Sequence, residues 1–223
     1  MKGRRISLKV LVAMWGAALA ACPTLADSIE IVSDPWASTE GLGSFAGTLD
    51  YQAEAFSTAG ILTVMLTNTS DAANGGFITG FLFNIGGGVE DATASLLDSP
   101  EQIHPFTQCL GRGLNGKPFG KPFDAGAALG GKFAGGGKPT EGIAVGETGV
   151  FAFEIAADDA GSLSALDFLE GGSFEHNFIV RFRGFADGGS DKVAGMIVPL
   201  PTPLLLGAAG LAGVMVIRRR SAR

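Results

Sequence analysis

Residues 149–156 alternate strictly between two faces, with Phe151, Phe153 and Ile155 on one and Val150, Ala152 and Glu154 on the other. A period of two is the mark of a strand with one buried face, because successive side chains of an extended chain point to opposite sides. The same period returns at 178–183, where Phe178, Val180 and Phe182 alternate with Ile179, Arg181 and Arg183, so the aromatics are expected in the core and the arginines in solvent. Residues 61–67 (ILTVMLT) are apolar and β-branched and end on the turn formers Asn68, Thr69, Ser70 and Asp71; residues 77–85 (FITGFLFNI) make a further apolar run. Shorter strands are expected at 28–32, 48–56 and 192–198, and only 163–169 (LSALDFL) suggests helix, of one or two turns. Strands with Gly-rich connections and almost no helical periodicity predict an all-β fold, an antiparallel β-sandwich of jelly-roll type, with a closed barrel as the alternative.

One region departs from this pattern. Residues 111–142 carry the tandem GKPF at 116–119 and 120–123, followed by more glycine and lysine, and read as a long surface loop with room for one short strand. Five basic residues lie there: Arg112, Lys117, Lys121, Lys132 and Lys138. They fit a solvated loop, or a flap that touches acidic polysaccharide. The spacing GxxxxGK at 111–117 resembles a phosphate loop, but Pro118 occupies the position where a hydroxyl must hold Mg²⁺, and no clear strand precedes Gly111.

The two ends of the chain differ from its middle. Lys2, Arg4, Arg5 and Lys9 precede an apolar run over 10–21, and Thr24, Leu25 and Ala26 supply small residues for cleavage, so residues 1–26 read as a signal peptide removed by signal peptidase. An alternative is embedded in it: Leu19-Ala20-Ala21-Cys22 resembles a lipobox, which would make Cys22 a lipidated first residue. At the other end, Pro199, Pro201 and Pro203 delay any helix until about residue 203. Fifteen uncharged residues, 203–217, then span ~22 Å as a helix against a hydrocarbon core of ~30 Å. Arg218, Arg219 and Arg220 follow at once as a cytoplasmic stop, which would leave the body of the protein outside. Spacing alone is compatible with a permanent transmembrane anchor. The organisation expected is therefore a signal peptide at 1–26, an ectodomain at 27–197 and a C-terminal segment at 198–223 with a short transmembrane helix over about 203–217.

The order of parts in that last segment carries a resemblance. Val198-Pro199-Leu200-Pro201, an apolar helix with small residues and a terminal arginine cluster are similar to the PEP-CTERM class of bacterial sorting signals, in the variant written VPLPA. Leu200 stands where the commonest form has Glu, and Thr202 where the variant has Ala. The resemblance implies recognition by an exosortase, a membrane-embedded cysteine protease or transpeptidase, removal of the tail, and delivery to the cell surface or extracellular matrix of a Gram-negative bacterium. Residues 142–153 and 178–192 also resemble segments common in exported ectodomains of this class, and those carry no known active site.

Charge and chemistry narrow the function of the middle. Its 171 residues hold eight of the 16 basic residues and all 22 acidic ones, a formal charge of −14, which argues against nucleic acid as a partner. With Cys22 removed, Cys109 stands alone, so no intramolecular disulfide forms, and it reads as a small inert residue. His104 and His176 are the only histidines, too few for the usual zinc spacing, and neither lies near a nucleophile elbow. A hydrolase would need His176 to meet a distant Ser and Asp. Asp187 and Asp191 flank a Gly-rich turn, and Asp158 and Asp159 sit on another; these are candidate calcium ligands or plain turn formers. Sugar-stacking aromatics are scarce, with Trp36 and Tyr51 the only Trp or Tyr after residue 26.

These readings converge on an exported, non-enzymatic surface or matrix protein, structural or adhesive in association with exopolysaccharide, without cofactor unless calcium binds. The alternative is a secreted carbohydrate- or calcium-binding module, or a lipoprotein. An open groove shared by Trp36, Tyr51 and acidic residues would favour that alternative.

Overall fold

A computed structural model describes residues 24–86, 88–89, 91–99, 106–109, 114–120, 123–169 and 176–198. Ten strands occur among them: β1 (Thr24–Ser38), β2 (Phe45–Glu54), β3 (Ala59–Asn68), β4 (Gly75–Phe83), β5 (Thr93–Asp98), β6 (Phe106–Gln108), β7 (Ala125–Leu129), β8 (Thr148–Ala156), β9 (Phe178–Phe185) and β10 (Ser190–Ile197). All pair antiparallel in one sheet of order β5-β8-β3-β2-β1-β10-β9-β4-β7-β6. The all-β antiparallel expectation therefore holds. The two separate sheets of a sandwich do not appear; a single sheet rolls until it is nearly closed, which is close to the barrel alternative.

The roll is explained by where the phenylalanines sit. Phe81 of β4 packs its ring 4.8 Å from Phe151 and 6.0 Å from Phe153, both on β8, although five strands separate β4 from β8 in the sheet. Phe83, Phe178 and Phe168 extend the same interior cluster. Only a sheet curled around its apolar face brings those rings together, and edge-on contacts at such separations add to the area they bury. The alternating residues of β8 and β3 point into this interior, as their period requires.

A second, smaller core lies on the outer side of β4, β7, β9 and β10. Leu82, Ile179 and Ala194 point outward there and are covered by Phe123, Phe133 and Cys109. With apolar cover on both faces, β4 shows no alternation and is buried along almost its whole length, as a continuous apolar run demands. Small residues also let β7 pair closely with β4: a Cβ on Gly126, opposite Leu82, would stand 2.1 Å from the Phe81 carbonyl oxygen. β7 thus lies wholly buried in the middle of the region expected to be a surface loop.

The cover also changes the fate of the arginines. Arg181 and Arg183 point outward from β9 as their parity requires, yet both are half-buried rather than free in solvent. The Arg181 guanidinium donates from Nη1 to the Phe133 carbonyl at 2.7 Å, and Arg183 donates from Nη2 to the Gly136 and Gly137 carbonyls. They tie the glycine-rich segment down onto the sheet. The helix expected at 163–169 is a single 3-10 turn, Ala165–Phe168.

The end strands β5 and β6 do not share a ladder, and Gln108 bridges them. Its side-chain carbonyl accepts the Leu96 N–H at 3.1 Å, and its amide nitrogen donates to the Ala94 carbonyl. One side-chain amide thus takes the place of a backbone pair at the seam of the roll. Gln108→Ala is expected to cost about 1–2 kcal/mol and to speed hydrogen exchange at the Leu96 amide, with β2 and β3 unaffected; unchanged exchange at Leu96 would show the seam is held by other means.

Candidate functional site

The chain leaves the fold at Val198. β10 ends at Ile197 opposite Ile31, and the Val198 N–H donates to the Glu30 carbonyl at 3.0 Å. The motif residue Val198 is thereby placed at the edge of β1, half-buried, beside a shallow notch of about 290 Å³ lined by Glu30, Val32, Thr48, Met65 and Thr67. Gly47 contributes backbone to its floor; a Cβ added there would meet the Met65 carbonyl oxygen at 2.1 Å. Pro199, Leu200, Pro201, Arg218, Arg219 and Arg220 lie outside the described residues, as do Cys22 and the helix expected at 203–217. Among the described residues no helix is long and apolar enough to cross a membrane.

At the other end of β10, its second residue is a buried acid. Asp191 is 1% exposed, and its carboxylate is enclosed by donors from the segment joining β1 to β2. Oδ1 accepts from the Ser38 and Thr39 hydroxyls and from the Thr39 and Glu40 N–H groups, at 2.8–3.0 Å. Oδ2 accepts from the Ser38 hydroxyl and from the Leu42 and Gly43 N–H groups, at 2.8–2.9 Å. Burial alone would raise this carboxyl, but the Gly43 amide, the Ser38 and Thr39 hydroxyls and the Leu42 amide together hold it below the usual aspartate range. The acid named from the sequence as a calcium candidate is here spent on protein donors, clamping the loop that leads β1 into β2.

The other acidic candidates do not join it. The Asp187 side chain accepts from the Gly189 N–H at 2.7 Å within the β9–β10 turn, and Asp158 and Asp159 are exposed on a separate turn. Among the described residues no group of three or more His, Cys, Asp and Glu side chains converges to hold a metal.

Comparison with known proteins adds nothing to set beside this geometry. No family model, curated protein or solved structure matches the chain.

Residues considered for catalysis or sugar binding are dispersed. His176 stands edge-on to Phe119, with ring centres 5.3 Å apart, and His104 lies outside the described residues. Cys109 is buried, and burial pushes its thiol up to about 11 against a lowering contact from the Phe133 backbone, so it is no ready nucleophile. Tyr51 is 1% exposed and donates its hydroxyl to the Ala160 carbonyl at 2.8 Å, whereas Trp36 is 94% exposed on an irregular stretch of β1. The two share no groove, so the observation that would favour a sugar-binding module is not met.

Two features escaped the sequence. Gln108 carried no signal, since a lone glutamine in a short strand is unremarkable by pattern. The partners of Asp191 were signalled weakly by Ser38-Thr39-Glu40-Gly41-Leu42-Gly43, a stretch rich in hydroxyls and glycine amides that lies 148–153 residues away in the chain.

Proposed function

We propose that this chain is an exported, exosortase-sorted protein of the cell surface or extracellular matrix of a Gram-negative bacterium, non-enzymatic, and structural or adhesive in association with exopolysaccharide. The observation that carries this reading is the three-part C-terminal segment, Val198-Pro199-Leu200-Pro201, the apolar run and Arg218-Arg219-Arg220, which begins where the last strand ends. A motif at the end of a strand is presented beside the domain, and an acidic body supports solubility after export.

The roles divide accordingly. Residues 1–26 direct export and are removed by signal peptidase; the helix at 203–217 holds the precursor in the membrane; the arginines keep its end cytoplasmic. The barrel-like domain supplies the body that is carried to the surface.

Deletion of 198–201 tests the proposal. Cell fractionation is expected to find wild-type protein at the surface or in the matrix and the deletion variant retained with the inner membrane. Retention of both in the membrane with an intact C-terminus would overturn exosortase sorting and leave a plain anchor.

A further inference from the structure

The charges of the body are sorted between its two sides. Strands β1, β2, β3, β5 and β8 contain no lysine or arginine. Every described cation of the body stands on β9, on β10 or in residues 114–139: Lys117, Lys132, Lys138, Arg181, Arg183 and Lys192. Because Phe81 of β4 meets Phe151 of β8 across the interior, the outer sides of β4 and β9 and those of β3 and β8 face in opposite directions.

The basic side is crowded. Lys192 stands opposite Arg181 in the ladder between β10 and β9, its Nζ donates to the Lys117 carbonyl, and it lies 6.0 Å from the centre of the Phe133 ring, next in sequence to Lys132. Burial lowers the Lys192 ammonium below its ordinary value, and the charge of Arg181 adds to this; burial and then Arg183 act on Arg181 in the same direction. Like charges gathered at reduced solvation are relieved by an anionic partner. Lys117 and Lys132 are exposed beside this group.

The opposite side offers such a partner surface. On the outer face of β2, β3 and β8, Glu154 pairs with Ile61 and Ile61 with Gln52, and Glu54 follows two residues along β2. A notch of about 350 Å³ is lined there by Gln52, Glu54, Ser57, Ile61 and Glu154. Ile61 is 37% and Val150 48% exposed on the same face. An apolar floor beside two carboxylates suits a lysine, whose stem packs on apolar surface while its ammonium meets the acids.

We propose that the partner is a second copy of this chain: the side of one copy that carries Lys117, Lys132 and Lys192 docks on the Glu54, Ile61 and Glu154 face of the next. A free polyanion would match the basic side alone and leave the notch and its exposed apolar side chains unused, whereas a second copy accounts for both. The formal charge of −14 on the body opposes association at long range. At physiological salt, however, charges more than about 8 Å apart are largely screened, so the facing groups decide. With the two patches on opposite sides, the contact is heterologous, and each added copy presents a free patch for the next. The association stands apart from the sorting function proposed above.

Sedimentation velocity of the full-length protein in detergent micelles at physiological salt tests it. The wild type is expected to grow beyond single copies as its concentration rises. Glu54→Lys with Glu154→Lys, and separately Lys117→Glu with Lys132→Glu, should each weaken association at least about tenfold. All four positions are exposed, so the fold is spared. The four changes in one chain should restore association, because complementarity returns with its sign reversed. A wild type that stays single, double variants that associate like it, or a fourfold variant no better than the doubles would overturn the proposal. A single wild type whose basic side binds a polyuronate probe would overturn it too and assign that side to a polyanion. Failure of exosortase sorting would leave all these results unchanged.

Discussion

Asp191→Ala is expected to lower the unfolding free energy by about 3 kcal/mol or more, which corresponds to roughly 6–12 °C in Tm for a domain of this size. The substitution removes a buried carboxylate and strands the N–H groups of Glu40, Leu42 and Gly43 together with the Ser38 hydroxyl. Unsatisfied buried donors cost more than the net worth of the bonds they made, which is why the effect exceeds that of a surface aspartate. Urea unfolding of the two proteins measures it, and a change below about 1 kcal/mol would show that the loop over 38–43 finds other acceptors.

The same carboxylate sets a pH dependence whose sign is dictated by its environment. Its donors outweigh burial and depress its folded value, so the unfolded chain binds the proton more readily. The stabilisation is fully present above the ordinary aspartate value of about 3.9 and is lost as pH falls from there through the depressed folded value. Wild-type stability should therefore fall more steeply below about pH 4 than that of Asp191→Asn, in which no such proton is taken up. Parallel acid curves would contradict this assignment.

Phe81→Ala is expected to be at least as costly, about 3–5 kcal/mol. The Phe81 ring touches Phe83, Phe151, Phe153 and Phe178, and the cluster draws on three strands, β4, β8 and β9. Its removal opens a cavity between the two sides of the roll, where the surrounding rings can collapse only in part. Phe81→Leu keeps most of the volume and should lose roughly half as much or less. Calorimetry of the two variants distinguishes a packed centre from a loose one: equal losses would mean that Phe81 does not fill the space its ring contacts indicate.

Strand period was legible where one face is buried and the other wet, as in β8, or where both faces are covered, as in β4. It was not legible in β7, whose Ala125-Gly126-Ala127-Ala128 carries almost no β preference and is placed by close approach to β4. Nor could periodicity show that Arg181 and Arg183 lie under a glycine-rich cover, because parity gives a face and not what stands over it. Sandwich and barrel share the same alternation along each strand; the choice depended on contacts between β4 and β8, far apart in the chain. For the site, the position of Val198 at the end of the last strand was readable from the motif and the strand pattern together. The role of Asp191 was not, since an aspartate after a Gly-rich turn looks the same whether it binds a cation or accepts from a distant loop.

The intact mass of the mature protein, purified from cells that export it, bears most directly on exosortase sorting. Sorting after signal-peptide removal predicts a chain that begins at Asp27 and lacks the arginine-rich end. A mass that still includes residues 203–223 would contradict it.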